Sequence, residues 1–197
     1  MRPHPASTLA LHETEQCAEL KRSIEQAFAD LQALVDGWAA GRVESGVQVF
    51  VYPPEAEAVM LARFPSFVQG CAARGCAIDL VDLGQGLLRE IERRPTLEGR
   101  LRVAEQRGTD RVHNDLGQIA QAYVQRLFAA PLQPPQVCRL LINSGALGVF
   151  LSYSAVLNGT SSEEGPAVVL AFPGEADDRS LNLLELRTDT NYRVARV

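Results

Sequence analysis

The chain has 197 residues, 46% of them apolar, and a formal net charge of −5 from 19 basic and 24 acidic side chains. That length and composition suit one folded domain with a substantial core. The acidic balance excludes a general nucleic-acid binder, and the net-basic stretch 89–139 reads as a solvated helix face.

Residues 1–10, with Pro3 and Pro5, are expected to fray. An amphipathic helix is predicted over 12–39. Leu20, Ile24, Ala27, Leu31, Leu34 and Trp38 recur at helical steps, with Phe28 and Val35 beside them. The stripe is short for a coiled coil and suits packing on the chain's own domain. Gly41 and Gly46 end it. Val47 to Tyr52 reads as a strand, and Pro53-Pro54 starts a helix to about Arg74. Pro65 should kink or split that helix, and Gly75 should close it. Ala77 to Asp82 is a second strand, and Leu87 to Arg93 begins another helix. Residues 95–112 read as a connection, and 114–129 as a helix bearing Ile119, Tyr123 and Leu127. A third strand over 137–142 precedes a helix at 146–157. A fourth strand, 167–172, runs into the turn Phe172-Pro173-Gly174-Glu175. A short helix or strand at 181–187 and a last strand at 192–197 complete the pattern. Strands alternating with helices imply an α/β fold with a mostly parallel, helix-covered sheet of about four to six strands. The expected architecture is three-layered, Rossmann-like or P-loop-like. Residues 1–40 form a tail and amphipathic helix, and 41–197 a single α/β domain.

The chemistry is sparse. Lys21, the sole lysine, sits inside a helix, which excludes a P-loop. Asp82-Leu83-Gly84-Gln85-Gly86 offers G-x-G, but the third fingerprint position is Arg89, so a plain glycine turn is expected. Asp79 and Asp82 face opposite sides of one strand, so at most one of them joins Glu175 at the carboxyl edge. His4, His12 and His113 have no ligand spacing. Ser144-Gly145 lacks a nucleophile elbow, and Ser144 is expected to cap the next helix. Cys17, Cys71, Cys76 and Cys138 fit neither zinc nor redox spacing and read as buried free thiols in a reducing cytosol. No secretory signal is visible in residues 1–15. The apolar stretch 140–157 is interrupted by Asn143, Ser144 and Gly145, so no membrane span is expected.

Four segments carry a resemblance. They are Val51-Tyr52-Pro53-Pro54-Glu55, Val81-Asp82-Leu83, Ser144-Gly145 through Phe150 to Leu157-Asn158, and Phe172-Pro173-Gly174-Glu175 with Leu181, Leu183 and the Tyr192-Arg193 ending. In this order and spacing, over residues 47–197, the chain resembles the BrxB family of BREX bacteriophage-exclusion systems. It departs from the family at Gly148-Val149-Phe150 and at Asn191-Tyr192. The resemblance implies a cytoplasmic, non-catalytic subunit without a cofactor. Such a subunit works beside a PglZ-type phosphatase-like protein, a large ATPase and a DNA methyltransferase.

The expectation is therefore a protein-interaction subunit of an anti-phage complex. Its candidate partner contacts are Phe172, Glu175, Tyr192 and Arg193 at the sheet edge, and Leu20, Ile24, Leu31 and Trp38 on the N-terminal helix. The alternative is a degenerate nucleotide- or magnesium-binding enzyme using Asp82 and Glu175. A third reading makes Arg89, Arg93, Arg94, Arg100, Arg102 and Arg107 a nucleic-acid strip, which the interleaved Glu90, Glu92, Glu98 and Glu105 oppose.

Overall fold

The computed structural model describes residues 5–44, 46–94, 99, 102, 110–148, 150–151, 165–176, 180–183 and 186–189. In chain order the elements are α1 (Pro5–Ala39), β1 (Val47–Tyr52), a 3-10 turn (Pro54–Ala56), α2 (Glu57–Ala73), β2 (Ala77–Asp82) and α3 (Leu83–Glu92). Then follow α4 (Asp110–Ala129), β3 (Gln136–Ile142), a second 3-10 turn (Ser144–Leu147), β4 (Val168–Pro173), β5 (Glu175–Ala176), β6 (Ser180–Leu183) and β7 (Leu186–Asp189).

Strands β1 to β4 form one parallel sheet in the order β1-β4-β3-β2. The chain crosses the whole sheet from β1 to β2, then steps back through β3 to β4. The first crossing carries α2 on one face. The return carries α3 and α4 on the other. Reversing direction while changing face keeps both crossovers the same hand, as parallel connections require. The result is the expected three-layer α/β architecture.

Each face has its own core. On one, Leu83 and Leu87 of α3 and Ile119, Tyr123, Val124 and Phe128 of α4 pack on Val49, Leu141, Val168 and Leu170. On the other, Ile24, Phe28, Leu31, Val35 and Trp38 of α1 join Met60 and Phe64 of α2 over Phe50, Tyr52, Leu140 and Val169. All six residues of β4 are buried, as an inner strand covered on both faces requires. The α1 stripe thus packs on the chain's own sheet. Arg63 of α2 adds an exposed tie, bonding Glu25 through two nitrogens at 2.8 and 3.1 Å over the Phe28 ring.

Several local expectations change. α1 begins at Pro5 instead of residue 12. α2 runs unbroken through Pro65, which is exposed, so water can serve the carbonyl that loses its donor. Gly75, at φ +88°, closes α2 as expected, with Cys76 N–H bonding Cys71 C=O at 3.0 Å. α3 starts at Leu83, four residues early, because Asp82 caps it. Residues 181–183 and 186–187 are strand, one of the two forms expected there, and stand apart from the main sheet. β5, β6 and β7 form a separate antiparallel sheet in that order. The strand expected at 192–197 lies outside the described residues, as do most of the 95–112 connection and most of the 146–157 helix.

Cys71 and Cys138 are buried free thiols and Cys76 is half-buried, whereas Cys17 is exposed, one turn before Leu20, the first described residue of α1 to pack against the core. Burial pushes the Cys138 thiol up to about 12. Among the described residues, no helix is long and apolar enough to cross a membrane.

Candidate functional site

The strand registers align Tyr52 with Pro173, Asp82 with Ile142 and Leu141 with Leu170, so β1 and β4 run two residues beyond the carboxyl ends of β2 and β3. After β1 the chain turns to the α1/α2 face, and after β3 to the α3/α4 face. β4 lies between them. That divergence is the switch point at which open α/β sheets form crevices.

Most polar groups at this edge are engaged in the fold. Asp82 Oδ1 accepts the backbone N–H of Gln85 at 2.9 Å and the Asn143 carboxamide at 3.1 Å. It is therefore a helix cap pinned to the loop after β3, not a free metal ligand. Asn143 is held at φ 60°, ψ 39° and flanks the 3-10 turn on its N-terminal side, the position expected for Ser144. Ser144 instead buries its hydroxyl and donates to Ala171 C=O at 2.7 Å, stitching the β3 loop to β4. Asp79 points away and pairs with Arg139 at 2.7 Å. The G-x-G glycines serve packing. A Cβ on Gly84 would lie 2.7 Å from Asn143 Nδ2, and one on Gly86 1.7 Å from the Tyr123 hydroxyl. Among the described residues, no three His, Cys, Asp or Glu side chains are grouped to hold a metal.

One carboxylate at the edge was not anticipated. Glu57 opens α2, and its Oε2 accepts a hydrogen bond from the Tyr52 hydroxyl. Tyr52 is 1% exposed and its ring packs between Phe50 and Phe64. Gly145 approaches from the β3 loop: a Cβ there would lie 3.3 Å from Pro173 and 3.9 Å from Glu57 Oε1. Glu57, Gly145 and Pro173 therefore converge from three strand ends.

Burial raises the Glu57 carboxyl above its ordinary value, and the Tyr52 hydrogen bond offsets only part of this. The unfolded chain loses that proton near 4.5, and the folded chain holds it to higher pH. Stability is therefore full below the unfolded value and falls as pH rises towards the raised one. Glu57→Gln is expected to raise the melting temperature at about pH 7 and to leave it unchanged at about pH 3. Thermal denaturation at both values checks this. Destabilisation at neutral pH would mean that the Tyr52 bond outweighs the cost of burial.

The other predicted residues are dispersed. Ile24, Leu31 and Trp38, at 5%, 0% and 9% exposure, lie in the core, and Leu20 packs against it. Phe172 is 1% exposed. None of these four buried residues can meet a partner while the core is intact, which corrects that expectation. The apolar spacing that suggested a docking stripe is the chain's own core face. Glu175 opens β5, directly after the carboxyl edge. Tyr192 and Arg193 lie outside the described residues. Between the N-terminal half of α4 and the segment after β3, a groove of about 350 Å³ is lined by His113, Asn114, Gly117, Gln118, Gln121, Phe150 and Leu151, with His113 the titratable group among these described residues.

No protein-family model matches the chain, and neither does any curated protein or solved structure.

Proposed function

We propose that this chain is a non-catalytic, cytoplasmic interaction subunit of a BREX-type anti-phage complex. It binds a PglZ-type partner through the carboxyl edge of its sheet. The resemblance in the four segments motivates the reading. The observation that carries it is the use made of the edge. Asp82, Asn143 and Ser144 are spent on fastening the end of β2 to the loop after β3, and that loop to strand β4. The antiparallel sheet β5–β7 begins on that surface, where Gly174 N–H bonds Tyr52 C=O at 2.9 Å. A rigid edge carrying a short sheet is suited to recognition. Glu175 lies at its root, and Tyr192 and Arg193 follow it in the chain.

The test is co-expression with a PglZ-type protein and purification through a tag on either chain. The wild-type pair is expected to co-purify, and Glu175→Arg or Tyr192→Ala to reduce recovery without lowering the melting temperature. Wild-type recovery with both variants would refute the surface. Failure of the wild-type pair to associate would refute the partner. A magnesium- and nucleotide-dependent stabilisation, about 2.7 kcal/mol at a hundredfold excess over Kd, would favour the enzyme alternative instead.

A further inference from the structure

Cys71 and Cys76 are five positions apart, a spacing that matches no redox motif in the sequence. The fold nevertheless brings them together at the end of α2. Around Gly75, at φ +88°, Gly75 N–H bonds Ala72 C=O and Cys76 N–H bonds Cys71 C=O, each at 3.0 Å. This pair of bonds is the Schellman closure of a helix, in which the third residue from the helix end meets the second residue beyond the cap. Here both of those positions are cysteines. The path from the Cys71 Cα through its carbonyl oxygen and the Cys76 nitrogen to the Cys76 Cα would span about 6.9 Å if it were straight. It is bent, because an amide N–H does not point along its own N–Cα bond. The two Cα atoms therefore lie inside the upper limit of about 6.8 Å for a disulfide.

The two thiols differ in access and surroundings. Cys76 is half-buried and Cys71 is fully buried. Cys71 Sγ donates to Gln32 Oε1 of α1 at 3.3 Å, and Arg74 Nη2 donates to the same sulfur at 3.4 Å. Burial raises the Cys71 thiol above its ordinary value, and the Arg74 guanidinium in contact with it opposes that rise. Cys138 is a third thiol in the same core, on β3 opposite Ile78. Burial pushes it up to about 12, which leaves it inert as a nucleophile. Among the described residues, which include all three, no group able to hold a metal ion is formed.

We propose that Cys71 and Cys76 are a redox-responsive pair, which a small-molecule disulfide of the glutathione class converts to an intrachain disulfide. The half-buried Cys76, as thiolate, attacks one sulfur of the oxidant. The other sulfur leaves and takes up the proton that Cys76 released. Cys71, losing its proton beside Arg74, then attacks the Cys76 sulfur of the mixed disulfide. The second glutathione leaves with that proton. Two protein thiols are oxidised, and one glutathione disulfide is reduced to two glutathione thiols. The product lacks the proton that Cys71 donates to Gln32, so oxidation removes a hydrogen bond between α2 and α1.

Arg74 lies between the two cysteines, so trypsin places them in separate peptides, 64–74 and 75–89, with Cys17 and Cys138 in two others. The experiment uses the full chain carrying Cys17→Ser, which removes the exposed thiol. It is equilibrated without denaturant in glutathione buffers from fully reduced to fully oxidised, quenched with acid, denatured, alkylated and digested. At the oxidised end the expected product is peptide 64–74 joined to 75–89, two hydrogen atoms lighter than their sum and lost on treatment with dithiothreitol. It should form equally when Cys138→Ala is added and be absent when Cys76→Ser is added. A link between Cys76 and Cys138 would overturn the pairing. So would full alkylation of Cys71 and Cys76 in the oxidised buffer, or a link that forms only once urea has unfolded the chain.

Discussion

Arg139→Met is expected to destabilise the chain by about 3–5 kcal/mol, the usual cost of breaking a buried, hydrogen-bonded ion pair from one side. Arg139 is 6% exposed on β3, an inner strand. Its Nε donates to Asp79 at 2.7 Å, and its Nη1 donates to Leu127 C=O and, at 3.0 Å, to Ala130 C=O. Leu127 is in the last turn of α4 and Ala130 follows it directly, where no helical donors are left for their carbonyls. One guanidinium therefore joins β2 to β3 and closes the helix that packs above them. Methionine keeps the stem and strands three acceptors. Because Asp79 retains 26% exposure, the loss belongs near the lower end of the range. Arg139→Lys should recover only part, since one ammonium cannot reproduce the planar fork. Urea denaturation checks this, and the double variant Arg139→Met, Asp79→Leu separates the causes. If the orphaned carboxylate dominates, the double variant regains much of the loss. If the α4 carbonyls dominate, it does not.

Position 139 also shows where sequence reading stops. Strand and helix assignments depended on periodicity, and the apolar runs 47–52, 77–82, 137–142 and 167–172 located every strand of the parallel sheet to within a residue. The helical stripe through Leu31 and Trp38 likewise marked the buried face of α1. What periodicity does not carry is the partner of each polar residue. Asp79 and Arg139 are 60 positions apart. Gly84 and Gly86 looked like a turn and delayed the predicted start of α3. They are glycines because Asn143 and Tyr123 press on them from other elements. The segment 181–187 was ambiguous because four-residue strands are too short to set a period.

At the candidate site, the carboxyl edge was legible and its chemistry was not. The Phe172-Pro173-Gly174-Glu175 turn located the edge correctly, but Phe172 itself is core. A strand buried on both faces leaves no side for display. Asp82 was singled out for its type and place, and both proved to suit a helix cap. In the sequence nothing distinguishes Glu57 from the other acid of Glu55-Ala56-Glu57. A signal was available: Pro53-Pro54 after Tyr52 fixes where the helical turns begin, and so puts residue 57 in the first turn of α2, within reach of the tyrosine. Which of the two glutamates faces the sheet depends on the 3-10 turn, and composition does not report that.

The Tyr52–Glu57 pair depends in turn on the aromatic cluster behind it, which makes Phe64→Ala the most informative core substitution. Phe64 is fully buried, and its ring lies edge-on to Phe28 at 5.5 Å and to Phe50 and Tyr52 at 6.4 Å each. From within α2 its ring touches both α1 and β1. Truncation removes the buried ring and leaves a cavity between two helices and a strand, none of which can close it without breaking the others. The expected cost is about 3–5 kcal/mol. Phe64→Leu should cost less, since more of the volume is retained. In a urea titration the midpoint should fall with the slope unchanged, because the folded topology is retained. The local consequence separates this from a generic core defect. With its packing partner gone, Tyr52 gains freedom, and the hydrogen bond that fixes Glu57 weakens. On the interaction reading proposed above, the affinity for a PglZ-type protein should therefore fall in Phe64→Ala, even at temperatures where the chain is fully folded. A variant of equal cost on the opposite face, such as Phe128→Ala, should leave that affinity intact. Equal loss of binding in both would assign the effect to global stability and remove the aromatic cluster from the site.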